Sequence, residues 1–125
     1  MNITSSTIIY ENPLPQLRSR HAFFPNLCVT PDGVILAASA VSEAFESVDM
    51  AVQLFASTDG GHSFALYHPR PVDTGAFSVP MSTCAKLTRL AGGDLLLLGY
   101  GMLREDPELP ISNPATGGVL PSVPF

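Results

Sequence analysis

Charged residues are scarce in this sequence. They make up 14% of the 125 residues, whereas hydrophobic residues make up 46%. A chain that stays disordered has the opposite balance, so the composition predicts a folded domain. The six basic residues are outnumbered by eleven acidic ones, and the net charge is −5. Since the basic side chains are also scattered along the chain, we expect no nucleic-acid partner.

Cysteine is scarce as well. The sequence contains two cysteines, Cys28 and Cys84, which are too few for a disulfide framework. Neither has a second Cys or a His at the spacing of a metal site, so we predict no metal and no other cofactor. Buried free thiols are the expected state of both residues. A bridge between them is the alternative, and it would imply an oxidising compartment.

Long apolar runs and an N-terminal targeting segment are also missing. No run is long enough to span a bilayer, so we expect no membrane partner. The N-terminus contains neither a basic region nor the apolar block of a secretory signal. The sequence leaves the compartment unknown, and a cytoplasmic location is the default expectation.

Glycine and proline are plentiful, with ten and twelve residues. Together with the low charge they predict many short buried strands joined by tight turns, and so an all-β protein. Residues 34–38 are apolar on both faces, which is typical of a strand between two layers. Residues 41–47 predict a loop with room for one helical turn. The predicted strands are residues 7–10 (an opening strand), 23–29, 34–38, 50–56, 64–67 and 95–100.

Residues 57–64, with the sequence STDGGHSF, predict a reinforced hairpin turn. Two consecutive glycines tolerate positive φ at the tip. The short side-chain oxygens of Ser57 and Asp59 can accept hydrogen bonds from backbone N–H groups of the turn, and the Phe64 ring can fold over it. The strands on either side are therefore expected to pair antiparallel.

The same eight residues resemble the Asp box of sialidases and related β-propellers, whose pattern is S-x-D-x-G-x-[ST]-[FW]. The constrained positions hold Ser57, Asp59, Gly61, Ser63 and Phe64, with Phe64 where Trp is more common. The resemblance implies a six-bladed propeller with the box between the third and fourth strands of a blade, on the outer rim and away from the catalytic face. A hairpin without family meaning is the alternative.

An offset of 60 residues reveals an internal repeat. It carries Leu27 onto Leu87 and Gly33 onto Gly93, and it also superimposes the apolar runs that follow the two glycines. The repeated phrase is a strand, a glycine turn and an apolar strand.

Together with the resemblance, the repeat predicts a first blade at about residues 23–68 and an incomplete second blade at about residues 81–125. Residues 1–125 are thus expected to be the N-terminal part of a single β-propeller domain of the six-bladed sialidase type, with about one and a half four-stranded antiparallel blades. A self-contained small β-sandwich is the structural alternative.

Sialidases share an arginine triad that clamps the substrate carboxylate, a Tyr/Glu pair that supplies the nucleophile, and an Asp that acts as acid and base. The resemblance implies that the first arginine and the Asp belong to this part of the chain, and that the others lie beyond Phe125. Phe23 stands at the position that the sialidase motif gives to the first arginine of the triad. Arg20 could substitute only through a bulge or a loop, because its offset from Pro25 has the wrong parity in a regular strand. A solvated patch containing Arg18 and Arg20 is the alternative.

Asp49 is the best positional match for the acid, since it lies close to where the third strand begins. Glu43 and Glu46 share its loop, and a solvated surface cluster is the alternative for all three. Tyr100 is expected to be a packing residue. The residues expected to be solubilising or on the surface are Glu105, Asp106, Glu108, His62 and His68.

The resemblance implies a function as well. We expect the N-terminal fragment of a sialidase-like glycoside hydrolase of the exo-α-sialidase superfamily, acting on a sialoside-like carbohydrate and inactive as the isolated fragment. The alternative is a non-catalytic Asp-box propeller that serves as a glycan- or protein-binding scaffold.

Overall fold

The described part of the chain consists of β-strands, tight turns and irregular segments. A computed structural model describes residues 2–3, 5–45, 47, 49–67 and 81–103, with the backbone alone at 81–83 and 102–103. The predicted all-β class is confirmed, since no helix occurs among these residues. The strands are β1 (His21–Val29), β2 (Ile35–Ser42), β3 (Ala51–Ser57), β4 (Ala65–Leu66), β5 (Met81–Arg89) and β6 (Leu95–Leu103).

The first four strands form one antiparallel sheet in chain order, named sheet A here. Leu27 on β1 pairs with Ala37 on β2, and Ala37 pairs with Phe55 on β3. β2 continues past the predicted 34–38 to Ser42, because the residues that follow are small or β-branched and are buried. The described residues of the predicted helical turn at 41–47 form the end of β2 and a bent loop instead.

The predicted opening strand at residues 7–10 is wrong. These residues lie in no strand of the sheet. The Tyr10 ring packs against Phe55 of β3, with 6.1 Å between the ring centroids. Tyr10 therefore covers part of one face of sheet A while Ile8 stays 74% exposed, and the run does not add a strand to the sheet edge.

β5 and β6 form a second antiparallel sheet, named sheet B here, which repeats β1 and β2 at an offset of 60 residues. The connecting turns use the same hydrogen bonds. Thr30 N–H donates to Val34 O at 2.9 Å, and Leu90 N–H donates to Asp94 O at 2.8 Å. Gly33 and Gly93 have φ values of 86° and 96°, which explains a glycine at the same place in both turns.

The two sheets pack face to face, and the faces in contact are called the inner faces. Leu36 and Ala38 of sheet A and Leu87 of sheet B form the buried core, with Leu97 packed against them. Asn26 of β1 joins the sheets, because its Oδ1 accepts a hydrogen bond from Leu87 N–H at 2.7 Å. Apolar burial and a polar cross-link thus hold the sheets together.

β6 approaches β5 closely at Gly99, which pairs with Ala85. A Cβ atom at Gly99 would lie 2.6 Å from the Cβ of Ala85 and closer still to the carbonyl oxygen of Cys84. Any larger residue would therefore push the two strands apart.

Cys28 and Cys84 are free thiols, as predicted, but only Cys84 is buried, whereas Cys28 is partly buried. Cys28 packs against the buried core between the sheets. Cys84 is buried on β5, and its burial raises the pKa of the thiol. The tertiary structure therefore gives neither thiol a disulfide partner.

Candidate functional site

One end of sheet A gathers the candidate site residues. β1 begins there, β2 ends there, and β3 begins there after a loop whose described residues are 43–45, 47, 49 and 50. Arg20 directly precedes β1, and Asp49 lies near the end of the loop. Because the strands are antiparallel, three separate segments of the chain converge on this end.

Arg20 and Asp49, the two predicted catalytic candidates, form an ion pair. The Arg20 Nη1 donates to Asp49 Oδ2 at 2.7 Å across 29 residues of sequence. Their side chains are 23% and 30% exposed, so the pair is partly shielded from water. An arginine in that position does not stand free in solvent, and its charge is already balanced by a carboxylate.

Asp49 also organises its own loop. Its two oxygens accept the Glu43 backbone N–H at 3.3 and 3.2 Å, and Oδ1 accepts the Ser47 hydroxyl. With Arg20, these donors all use the carboxylate as an acceptor. The described geometry of Asp49 is therefore that of a carboxylate that holds the loop against the start of β1.

Arg18 forms a second ion pair beside the first, with Glu43. Both side chains are well exposed, at 61% and 43%. Exposed pairs of this kind contribute little to stability. This pair therefore adds a mixed-charge surface next to the Arg20–Asp49 pair.

A β-bulge separates Arg20 from the rest of β1. The pairing with β2 shifts between Phe23 and Asn26, and Phe24 inside the bulge has a φ of 52°. Pro25 fits here because a bulge tolerates a residue without a backbone N–H. The bulge breaks the regular alternation that would turn Arg20 away, so parity no longer argues against Arg20.

Aromatic rings lie beside the ion pairs. The Phe45 ring, from the loop, contacts Phe23 and Phe24 with centroids 5.7 Å apart in both cases and the rings edge to face. His21 contacts Phe23 at 5.9 Å. The phenyl rings of Phe24 and Phe45 are also exposed. Phe23 thus stands at the predicted arginine position as part of a small aromatic cluster.

Phe45 and Ser47 are functional candidates that the sequence did not reveal. The one available signal was a single aromatic residue in a loop of small and acidic residues. Tyr100 lies within β6 and not at this end of sheet A. Glu46, His68, Glu105, Asp106 and Glu108 lie outside the described residues.

The turn at residues 57–64 lies at the other end of β3 from Asp49. Ser57 Oγ accepts the Gly61 N–H at 2.9 Å and donates to Asp59 Oδ1 at 2.7 Å. The Asp59 carboxylate accepts the Ser63 N–H at 3.0 Å and the Ser63 hydroxyl at 2.6 Å. The predicted hydrogen bonds of the turn are therefore present, and β3 pairs with β4 across it.

Asp59 is specialised as an acceptor in this turn. Hydrogen bonds from the Ser63 side chain and backbone, and then from Ser57, hold the pKa of its carboxyl far below its usual range. A carboxyl in this state is ionised at any physiological pH. Asp59 lies at the opposite end of β3 from Asp49, and its hydrogen bonds go to Ser57 and Ser63 of the same turn. Its role is therefore structural.

Comparison with protein-family models, curated proteins and solved structures finds no match for this chain. Within the described residues, no group of His, Cys, Asp and Glu side chains is arranged to hold a metal ion. The same part of the chain contains no helix that is long and apolar enough to cross a membrane.

Proposed function

We propose that this chain is the N-terminal part of a sialidase-type β-propeller and that it binds carbohydrate at the end of sheet A that holds Arg20 and Asp49. Two features support the propeller. Antiparallel strands recur at a 60-residue offset in two sheets packed face to face, and a side-chain-reinforced turn joins β3 to β4. Stacked sheets of consecutive antiparallel strands are how propellers are built.

The observation that carries the functional proposal is the Arg20–Asp49 pair. The resemblance to sialidases implies an arginine for the substrate carboxylate and an Asp for proton transfer, and here one residue of each kind meets at one sheet end. A sugar carboxylate can replace Asp49 on Arg20, since Asp49 takes one hydrogen bond from Arg20 and a guanidinium can give a planar carboxylate two parallel ones. That exchange would release Asp49 from Arg20 and bring it next to the bound sugar.

In the hydrolase form of the proposal, Asp49 protonates the leaving oxygen. The nucleophile and the other arginines come from further blades of a longer protein. In that protein, Asp49→Ala lowers turnover on a sialoside with a poor leaving group about 10²–10⁴-fold, and much less on an activated aryl sialoside. Glu43→Ala is the matched control, because the Glu43 contact to Asp49 is made by the backbone N–H. Equal losses from both substitutions would move the acid elsewhere.

A scaffold without catalysis is the second candidate. Phe23 stands where the family has its arginine, and Phe24 and Phe45 expose aromatic rings at the same end of sheet A as the ion pairs. Exposed rings next to polar groups suit a binding surface. In this case the longer protein binds a glycan or a protein and shows no turnover with any sialoside.

The 125-residue chain itself allows a binding test. Sialic acid is titrated into the chain and followed by ligand-observed NMR or calorimetry. Arg20→Lys keeps the charge but loses the planar fork, so affinity falls about tenfold or more. Arg89→Gln removes a positive charge at the other end of the sheets and leaves affinity unchanged. Binding that is lost equally in both variants, or absent in the unmodified chain, would contradict the proposed sialic-acid site.

A further inference from the structure

Each sheet carries, on its outer face, the repeat equivalents of the residues that join it to the other sheet. At the inner faces, Leu36 and Ala38 of sheet A pack against Leu87 and Leu97 of sheet B. At the 60-residue offset, the two sheet A residues are equivalent to Leu96 and Leu98 on sheet B. The two sheet B residues are equivalent to Leu27 and Ala37 on sheet A. The strand registers agree with this equivalence, since Leu27 pairs with Ala37 as Leu87 pairs with Leu97.

The equivalent positions on sheet B are exposed. Side chains alternate along a strand, so Leu96 and Leu98 point away from the inner face that carries Leu97. Leu36 and Ala38 are 3% and 0% exposed, whereas their repeat equivalents Leu96 and Leu98 are 41% and 69% exposed. The outer face of sheet B therefore presents the same half of an interface that the inner face of sheet A buries.

The other half lies on the outer face of sheet A. Leu27 is 58% exposed there, whereas Ala37 and Phe55 are only 3% and 5% exposed, and the Tyr10 ring packs on Phe55. Beside it, a mostly apolar groove of about 390 Å³ lies between this face and the N-terminal segment. Leu27, Ala37 and Phe55 line the groove from the sheet, and Ile9 and Tyr10 line it from the segment. This face is the repeat equivalent of the inner face of sheet B.

The sizes of the side chains also match. The internal interface has the small Ala38 on one sheet and the large Leu97 on the other, with Leu36 and Leu87 beside them. At the outer faces the repeat puts the large Leu98 in the place of Ala38, and the small Ala37 in the place of Leu97. Both sets consist of three leucines and one alanine, and exchanges that conserve total volume are the ones that packed interfaces tolerate best.

We propose that a second copy of this chain docks on these faces, head to tail, in the places that the proposed function gives to the neighbouring blades of a longer protein. The outer face of sheet B of one copy packs on the outer face of sheet A of the next, with Leu98 entering the groove beside Ala37. The internal interface supplies the template for this contact. Each copy contributes a different face, so the contact is heterologous and closes into a ring or continues as an open chain.

One polar difference accompanies the exchange. Lys86 stands at the repeat position of Asn26, whose Nδ2 donates to the Ala85 carbonyl at 3.4 Å across the internal interface. A lysine ammonium also donates, so it can bond the equivalent carbonyl of Pro25 in the second copy. It offers no acceptor for the partner's backbone N–H, and the contact between copies is accordingly the weaker of the two.

Sedimentation velocity of the 125-residue chain from micromolar to millimolar concentration tests the proposal. The unmodified chain associates as its concentration rises. Leu98→Glu disables the sheet B face and Leu27→Glu disables the sheet A face, so each variant alone is monomeric. Both positions are exposed, and an unchanged β-type circular dichroism spectrum confirms that the variants fold. Leu17→Glu, in the exposed N-terminal segment, is the control and associates like the unmodified chain.

Mixing the two face variants separates this contact from nonspecific stickiness. Each variant retains the face that the other lacks, so an equimolar mixture forms a one-to-one dimer and nothing larger. A symmetric contact or a general hydrophobic association cannot give this result. The proposal is overturned if the unmodified chain is monomeric throughout, if either face variant still associates alone, if Leu17→Glu abolishes association, or if the mixture stays monomeric. None of these outcomes depends on carbohydrate binding.

Discussion

Removal of the Ser57 hydroxyl tests directly what holds the turn at residues 57–64 together. Ser57 is 1% exposed, and its oxygen both accepts the Gly61 N–H and donates to Asp59. In Ser57→Ala, water cannot easily replace the hydroxyl, so the Gly61 donor loses its partner. A buried group left unpaired in this way costs about 1–3 kcal/mol of the free energy of unfolding.

Urea unfolding of the 125-residue chain measures this loss. With a dependence of about 2 kcal/mol per molar urea, the midpoint falls by roughly 0.5–1.5 M. Both proteins are compared at one concentration, because association would add to the apparent stability. Ser19→Ala is the matched control, since the Ser19 hydroxyl bonds to His21 at an exposed position, and it changes stability by less than about 0.5 kcal/mol. A Ser57→Ala loss no larger than the control's would refute the structural role of the hydroxyl.

The remaining predictions concern a strand contact, a titration and the ion pairs. Gly99→Ala destabilises the chain by about 1–3 kcal/mol in thermal unfolding, because its Cβ has no space, whereas Gly92→Ala, with open space around its Cβ, is nearly neutral. The pKa of Asp59 is lowered in the folded state, so its contribution to stability is full above the unfolded pKa of about 4 and is lost as the pH falls below it. Unfolding curves between neutral and acid pH therefore lose part of their acid slope in Asp59→Asn, and an unchanged slope counts against the hydrogen-bond network. Arg20→Gln costs about 1 kcal/mol and Arg18→Gln less than about 0.5 kcal/mol, in keeping with their different exposure, and the reverse order in unfolding would contradict the described pairing.

The features that the sequence predicts correctly are local ones. The turn at 57–64 needs only its own glycines and short side-chain oxygens, and it forms the predicted hydrogen bonds. The same holds for the glycine turns of the 60-residue repeat and for the apolar β2, whose residues are buried on both faces. Each of these features is determined by residues within a few positions of one another and does not depend on distant parts of the chain.

Features that depend on distant contacts escaped the sequence analysis. Residues 7–10 have the composition of a strand, yet they pair with no strand and Tyr10 packs its ring on Phe55 across the face of sheet A. The bulge at Phe24 and the Arg20–Asp49 pair depend on the register of β1 against β2 and on the return of the chain 29 residues later. Spacing and parity carry no information on such a register shift, so the sequence indicated both residues of the pair but not their contact.

The backbone itself distinguishes the two ends of sheet A. At the turn end, the residues with positive φ are the glycines 33, 60 and 61, which adopt it without a steric penalty. At the other end the residue is Phe24, with a φ of 52°, and an ordinary residue in this region costs about 1–3 kcal/mol. Glycine at this position would remove the strain, but it would also remove the ring that contacts Phe45 beside the ion pairs. Backbone strain that is kept because its removal would also remove a side chain is typical of a functional surface. The strained bulge, the aromatic cluster and the Arg20–Asp49 pair lie at the end of sheet A that we propose as the binding site, opposite the structural turn at residues 57–64.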